Sequence, residues 1–306
     1  MTIVHLVAHL QARDVSLVPG LAGERLGRPP AGLGPTQLAR RHQGGEGLGQ
    51  RVWHGLRGAF PQTFGAVLMP DHLHLVSRVK DPAQARRTLA HVLRGVSAGL
   101  GPATWQPVPS SEPVPDLHHL RRVLRYVALN PCRAHPQLAA DPLEWLPSTH
   151  RDLVGATVDP WVRAEDLAAL LREPVAGFAE RWHRYVSSDP SVHLEGTPLP
   201  ALEPGLLEAC TLPDLRRAVS RACCCPEDDL QRRGSLRDLL LMLAHHLTGL
   251  DRTALATECG LARTTLWRAR QKPVEDRHVR AVLLTLADPR LRGRARPDGD
   301  PREMLG

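Results

Sequence analysis

His72 and His74, separated by one leucine, and Tyr126 and Asn130, separated by three residues, are the side chains of this 306-residue chain best spaced for chemistry. On an extended strand alternate side chains share a face, so the histidines stand side by side while Leu73 and Leu75 turn the other way. Two neighbouring imidazoles make half of a metal site. Alone, a His-x-His pair is more often a strand edge with two solvated or hydrogen-bonded rings, so it takes its meaning from its partners. Residues four apart on a helix project from one side, and a phenol at 126 and an amide at 130 can therefore meet the histidines together. The chain has only two tyrosines, Tyr126 and Tyr185, which narrows the choice of a phenolic nucleophile.

The elements that must hold these groups follow from local pattern. Residues 64–69 read as a strand, Pro70-Asp71 as a turn and residues 72–79 as the paired strand, a hairpin carrying the histidines. Residues 2–10 begin β-branched and apolar and read as a first strand, on which His5 and His9 are structural or solvent-facing. Helices are expected at residues 35–42, ended by Gly44-Gly45, and at residues 51–60, where Val52, Leu56 and Ala59 share a face. A helix over residues 82–98 has Asp81 as N-cap, Pro82 in its first turn and an apolar stripe of Leu89, Val92, Leu93 and Val96. Residues 99–115 read as a proline-rich connector. Asp116 suits the cap of the next helix, with Leu117, Leu120, Val123, Leu124 and Val127 inward; Tyr126 lies near its end, and Pro131 limits its regular continuation.

Composition bounds the rest. A chain of 306 residues exceeds what one core usually organises, so two domains are expected. Hydrophobic residues make up 42% and suffice for a globular interior, while 28 prolines and 25 glycines imply many turns. Thirty-nine Lys+Arg against 32 Asp+Glu leave a formal charge of +7, nearly all of it arginine, which suits a polyanionic partner. The six cysteines form neither a CxxC pair nor a disulfide rhythm, and the run Cys223-Cys224-Cys225 reads as incidental because adjacent residues do not wrap one ion easily. Residues 1–10 lack a basic flank and a cleavage site, and no stretch of eighteen apolar residues occurs, so a cytoplasmic, nucleoid-associated location is expected.

The hairpin Met69-Pro70-Asp71-His72-Leu73-His74-Leu75-Val76, followed by Arg125-Tyr126-Val127-Ala128-Leu129-Asn130-Pro131-Cys132-Arg133-Ala134, resembles the REP-associated tyrosine transposases, the single-tyrosine branch of the HUH nucleases. The stretch from Glu144 to His150, with Trp145 and the small polar Ser148 and Thr149, is similar to that family too, as is the segment Phe178 to Val186. The resemblance covers about residues 1–186. It implies an α+β fold, a ferredoxin-like antiparallel sheet with helices on one face. It implies Mg²⁺ or Mn²⁺ on His72 and His74, with Asn130 as third ligand; Asp71 departs from the asparagine usual in the family, and its carboxylate can serve as a supporting acceptor. It implies Tyr126 as the nucleophile that forms a 5′-phosphotyrosine, a role for which a phenol titrating near about 10 needs a nearby cation.

Beyond residue 186 the chain reads as a linker over residues 187–232, with short helical pieces around residues 206–210 and 214–222. A helix-turn-helix domain is expected over residues 233–290 and a basic disordered tail over residues 291–306. Leu236, Leu239, Leu240, Leu243 and Leu247 form one stripe ended by Gly249. Ala256, Gly260 and Leu266 have helix-turn-helix spacing, and the second helix would expose Arg263, Thr264, Thr265, Arg268 and Arg270 to DNA. This segment resembles the C-terminal DNA-binding domain of the replication initiator DnaA.

The expected function is thus a metal-dependent transposase and single-strand DNA endonuclease with strand-transfer activity on hairpin-forming DNA; a homodimer is compatible with the resemblance. Two rivals stand beside it: a domesticated, catalytically inactive DNA-binding protein of the same fold, and a metallohydrolase of small molecules built on the histidine pair.

Overall fold

The computed structural model describes residues 1–11, 16–18, 47–98, 105–106, 109–202, 210–231, 234–271 and 275–292. Strand β1 (Thr2–His9) alternates in burial, with Val4, Leu6 and Ala8 in the core. It pairs antiparallel with β3 (His72–Val79), the second arm of a hairpin with β2 (Thr63–Leu68), and on its other side with β4 (Ser110–Pro113). The sheet order is therefore β2-β3-β1-β4. Helix α1 (Leu48–Ala59) joins β1 to β2, and helix α2 (Pro82–Val96) joins β3 to β4. That β-α-β-β-α-β order on an all-antiparallel sheet is the ferredoxin-like arrangement.

Strand β4 lies inside the stretch read as a connector. Ser-Ser-Glu-Pro carries no strand signal of its own, and it is held by its ladder with β1, its proline confined to the end of an edge strand. The first two helices meet closely, since a Cβ added at Gly55 of α1 would stand 2.9 Å from Val92 Cγ1 of α2. They cover the face carrying Leu73 and Leu75. Asp81 caps α2 by accepting from the Ala83 amide at 2.9 Å.

Helix α3 (Leu117–Arg133), capped by Asp116 accepting from His119 N at 2.7 Å, crosses the opposite face. A Cβ at Gly65 of β2 would stand 2.5 Å from Leu124 Cδ2, so the helix rests where the strand has no side chain. The expectation of helices on one face is corrected here: it describes α1 and α2, while α3 adds a layer on the other side. The helix also passes through Pro131, which falls in its last turn, where little of the ladder remains to lose.

Because β2 is a sheet edge, its outer hydrogen-bonding groups need partners. The segment after α3 supplies them: Leu68 N donates to Pro147 O at 2.9 Å, Ala66 N to Thr149 Oγ1 at 2.8 Å, and Trp145 Nε1 to Leu68 O at 2.8 Å. Three helices follow, α4 (His150–Leu153), α5 (Ala164–Leu171) and α6 (Phe178–Ser187), the last burying Phe178, Trp182 and Val186.

The chain divides into two compact units, Met1–Val154 with Pro160–Pro198, and Gly155–Asp159 with Leu199–Gly306. In the second unit, α7 (Leu212–Ala222) buries Leu215, Ala218 and Val219 in one core with Leu240 and Leu243 of α8 (Ser235–Leu247). The stretch expected as a linker thus supplies a core helix. Two short helices, α9 (Arg252–Glu258) and α10 (Arg263–Arg270), flank Gly260, whose φ of +63 favours glycine. Helices α11 (Asp276–Ala287) and α12 (Pro289–Arg292) complete the unit. The helices expected at residues 35–42 and 206–210, apart from Cys210, and the tail from residue 293 lie outside the described residues. Among the described residues no helix is long and apolar enough to cross a membrane.

Candidate functional site

In the ladder between β1 and β3, His72 stands opposite His9 and His74 opposite Val7. Directly opposed residues share a face, and so do alternate residues of one strand, so His5, His9, His72 and His74 occupy the same side of the sheet. The ring centroids are 5.0 Å apart for His72 and His74, 5.4 Å for His9 and His72, and 5.1 Å for His5 and His74. Helix α3 lies over this side and brings the Tyr126 ring to 5.5 Å from His74 and 6.3 Å from His5, both edge-on. Tyr126 is 42% exposed and open to a large substrate, whereas His74 is only 5% exposed.

The imidazoles are individually held. His72 Nδ1 lies 2.7 Å from Asp71 Oδ1, and that hydrogen bond is the main cause of the lowered Asp71 pKa. A carboxylate only accepts, so His72 Nδ1 carries a proton, and in the neutral ring Nε2 is the nitrogen with the lone pair. His74 Nδ1 lies 3.0 Å from His5 Nε2. Burial first, and then the neighbouring His5, His72 and His9, push the His74 pKa down to about 2, so its ring is neutral, the form that binds metal. Burial also lowers His5, against the attraction of Glu112, which stands opposite it in the ladder with β4.

The remaining nitrogen of His74 tests whether these residues fit an ion. Nε2 is buried and has no hydrogen-bond partner among the described residues. A buried polar atom left without a partner costs about 1–3 kcal/mol, and a cation on that nitrogen removes the deficit. In its donor chemistry His74 Nε2, with His72 beside it, therefore suits a metal ion. Among the described residues no group of three or more His, Cys, Asp or Glu side chains is arranged to hold a metal, so further ligands would come from elsewhere.

Asn130 lies one turn beyond Tyr126, and its Nδ2 donates to the Tyr126 carbonyl at 3.3 Å. Arg133, one turn further, sets its guanidinium 5.9 Å from the Tyr126 ring centroid. Its Nη2 lies 2.9 Å from Asp189 Oδ2 and its Nε donates to Ser191 Oγ at 2.7 Å, which fixes this cation beside the phenol. Arg125 Nε joins the same Asp189 oxygen at 3.1 Å. The other tyrosine, Tyr185, packs between Trp182 at 5.5 Å and the Arg125 guanidinium at 4.7 Å, a structural role that leaves Tyr126 as the phenol at the histidines.

His5, His9 and Arg133 went unrecognised in the sequence. His5 and His9 share strand parity, the one local sign that they stand together, but only the pairing of β1 with β3 brings them to His72 and His74. In the second unit, Leu266 and Ala269 anchor α10 while Arg263, Thr264 and Arg268 are exposed and Thr265 is half-buried. The Arg270 side chain lies outside the described residues. Between these residues Trp267 is 59% exposed, an aromatic group that the arginine pattern had overshadowed.

No family model and no curated protein matches this chain. Among solved structures, a REP-associated tyrosine transposase bound to a REP hairpin aligns over 54% of this chain and 87% of that one, at 17% identity and a TM-score of 0.35.

Proposed function

We propose that this protein is a metal-dependent, single-tyrosine DNA endonuclease and transposase acting on single-stranded, hairpin-forming DNA. The observation that carries the reading is an exposed phenol 5.5 Å from a buried, neutral imidazole whose Nε2 has no partner among the described residues, with His72 beside it. His72 and His74 would hold Mg²⁺ or Mn²⁺, with Asn130 as a third ligand once its amide turns from the Tyr126 carbonyl. When bound there, the ion supplies polarisation of a non-bridging phosphate oxygen and neutralises charge on the leaving 3′-oxygen.

Tyr126 Oη forms the new bond to phosphorus, its proton passing to solvent. The bond from phosphorus to the 3′-oxygen breaks, and that oxygen takes up a proton as the free 3′-hydroxyl. The product is a 5′-phosphotyrosine, which keeps the phosphoester bond for transfer to a second strand without ATP. Arg133, held by Asp189 and Ser191, contributes fixed positive charge beside the developing phenolate. Asp71 orients His72, as carboxylates commonly orient metal-binding histidines. In the second unit, α10 acts as a recognition helix: Arg263, Thr264 and Thr265 near its start meet base edges, and Arg268 and Arg270 meet phosphates.

Incubating a labelled single-stranded hairpin with the full chain and Mn²⁺ tests this reading. A covalent protein–DNA adduct is expected from the natural chain and none from Tyr126→Phe. Absence of an adduct from the natural chain across several DNA sequences and both ions would refute the enzyme and leave a DNA-binding protein of this fold.

A further inference from the structure

Both histidines of the pair use the same ring nitrogen for support. His72 directs Nδ1 at Asp71 Oδ1, 2.7 Å away, and His74 directs Nδ1 at His5 Nε2, 3.0 Å away. The rings of His5 and His74 are inclined by only 21° at a centroid separation of 5.1 Å. That separation is little less than the nitrogen–nitrogen distance plus the two ring radii, so the rings meet edge to edge, nearly in plane, as a hydrogen bond requires. A neutral imidazole carries one N–H, and the contact made by one nitrogen decides the state of the other. If His5 donated here, His74 would carry its proton on the buried, unpartnered Nε2. If His5 accepts, Nε2 presents a lone pair, as in His72. A cation on His74 Nε2 requires the second arrangement, because a ring nitrogen that carries a proton has no lone pair to offer.

We propose that His5 is a positioning residue that accepts the Nδ1–H of His74 and so fixes the tautomer offering His74 Nε2 to a divalent cation. His5 thereby serves His74 as Asp71 serves His72, one support from the neighbouring strand and one from the turn. This role rests on the metal reading of the histidine pair given above. His5 itself is not a ligand, because its Nε2 is engaged by His74.

Calorimetric titration of the full chain with Mn²⁺ alone, without DNA, tests it. In His5→Phe, which keeps a planar ring but cannot accept, Mn²⁺ affinity is expected to fall about 10- to 100-fold, the range for lost supporting hydrogen bonds. In His5→Gln, whose side-chain carbonyl accepts the same N–H, affinity is expected within a few-fold of the natural chain. Electron spin-echo modulation of bound Mn²⁺ should show two imidazole nitrogens in the natural chain and in His5→Gln. Natural affinity in His5→Phe, equal losses in both variants, or a third coupled imidazole would each overturn the role of His5 while leaving the metal reading intact. Failure of the natural chain to bind Mn²⁺, or binding unaffected by His74→Ala, would overturn the metal reading itself.

Discussion

Replacing Gly65 by alanine tests whether α3, and with it Tyr126, is seated on the sheet as described. The new methyl would lie 2.5 Å from Leu124 Cδ2, whereas carbon atoms in contact sit about 3.5–4.0 Å apart, so roughly an ångström or more must be found. Leu124 is buried and shares its surroundings with Phe64, Val127, Leu153 and Trp182, leaving little room to swing. Leaving its rotamer costs about 0.5–1.5 kcal/mol, and overpacking of this kind totals about 1–3 kcal/mol. Restricting the unfolded chain at a former glycine returns about 0.4–1 kcal/mol. The balance is a loss of about 1–2 kcal/mol. Urea unfolding followed by tryptophan fluorescence reads it well, because Trp53, Trp105, Trp145, Trp161 and Trp182 all lie in the first unit and only Trp267 in the second. The midpoint should fall by roughly 0.5–1 M, given slopes of about 1–3 kcal/mol per molar for small domains. If α3 lifts instead of Leu124 turning, Tyr126 leaves its place at His74. The rate of adduct formation then drops up to about 100-fold under conditions where the protein stays folded. A Gly65→Ala protein at least as stable as the natural one, with an unchanged adduct rate, would refute this account of how the helix is held.

Two further outcomes are expected. Burial opposes the charge of Asp189, but hydrogen bonds from Ser191 and the guanidinium of Arg133 hold its pKa down at about 2. A carboxylate depressed in the folded state stabilises it above the ordinary carboxylate range, and that advantage is lost as pH falls through the folded value. Asp189→Asn should therefore be less stable than the natural chain at pH 7, and the gap in urea midpoint should narrow steadily from pH 4 towards pH 2. In the second unit, Arg268→Ala should weaken DNA binding similarly across sequences and flatten the dependence of log affinity on log salt by about 0.9, the value of one phosphate contact on duplex DNA. Trp267 fluorescence should change on the same titration; an unaltered salt slope together with unaltered fluorescence would remove α10 from the DNA interface.

What could be read from sequence was local. The hairpin carrying His72 and His74, the helix capped by Asp81, the helix capped by Asp116 and the two helices around Gly260 each declare themselves by a cap, a turn or a periodic stripe, and all are found. Strand β4 stayed hidden because Ser110 to Pro113 owe their conformation to a ladder with β1, more than a hundred residues away in sequence. The placement of α3 on the histidine side was hidden as well. Its apolar stripe says that Leu124 is buried but not against which face, and the decisive cue, the bare backbone at Gly65, has meaning only once the two are superposed. His5 and Arg133 belong to the same class: one is recruited by strand pairing and the other by Asp189 and Ser191, fifty-odd residues downstream. The helix expected around residues 214–222 is found as Leu212–Ala222; its place in a core is hidden by proline-rich surroundings that read as a linker.

The sheet order also sets a timetable for synthesis. Strand β1, an interior strand, ends at His9, yet its neighbour β3 begins only at His72 and its other neighbour β4 only at Ser110. During translation the strand bearing His5 therefore waits, unpaired, for the hairpin to emerge, a long closure of the kind that slows folding and exposes strand edges. The histidine cluster can close next, and Tyr126 arrives only with the helix that follows β4. With the activity proposed above, a nascent chain would possess its paired histidines before Tyr126, and could not attach itself to DNA until the sheet beneath that tyrosine was complete.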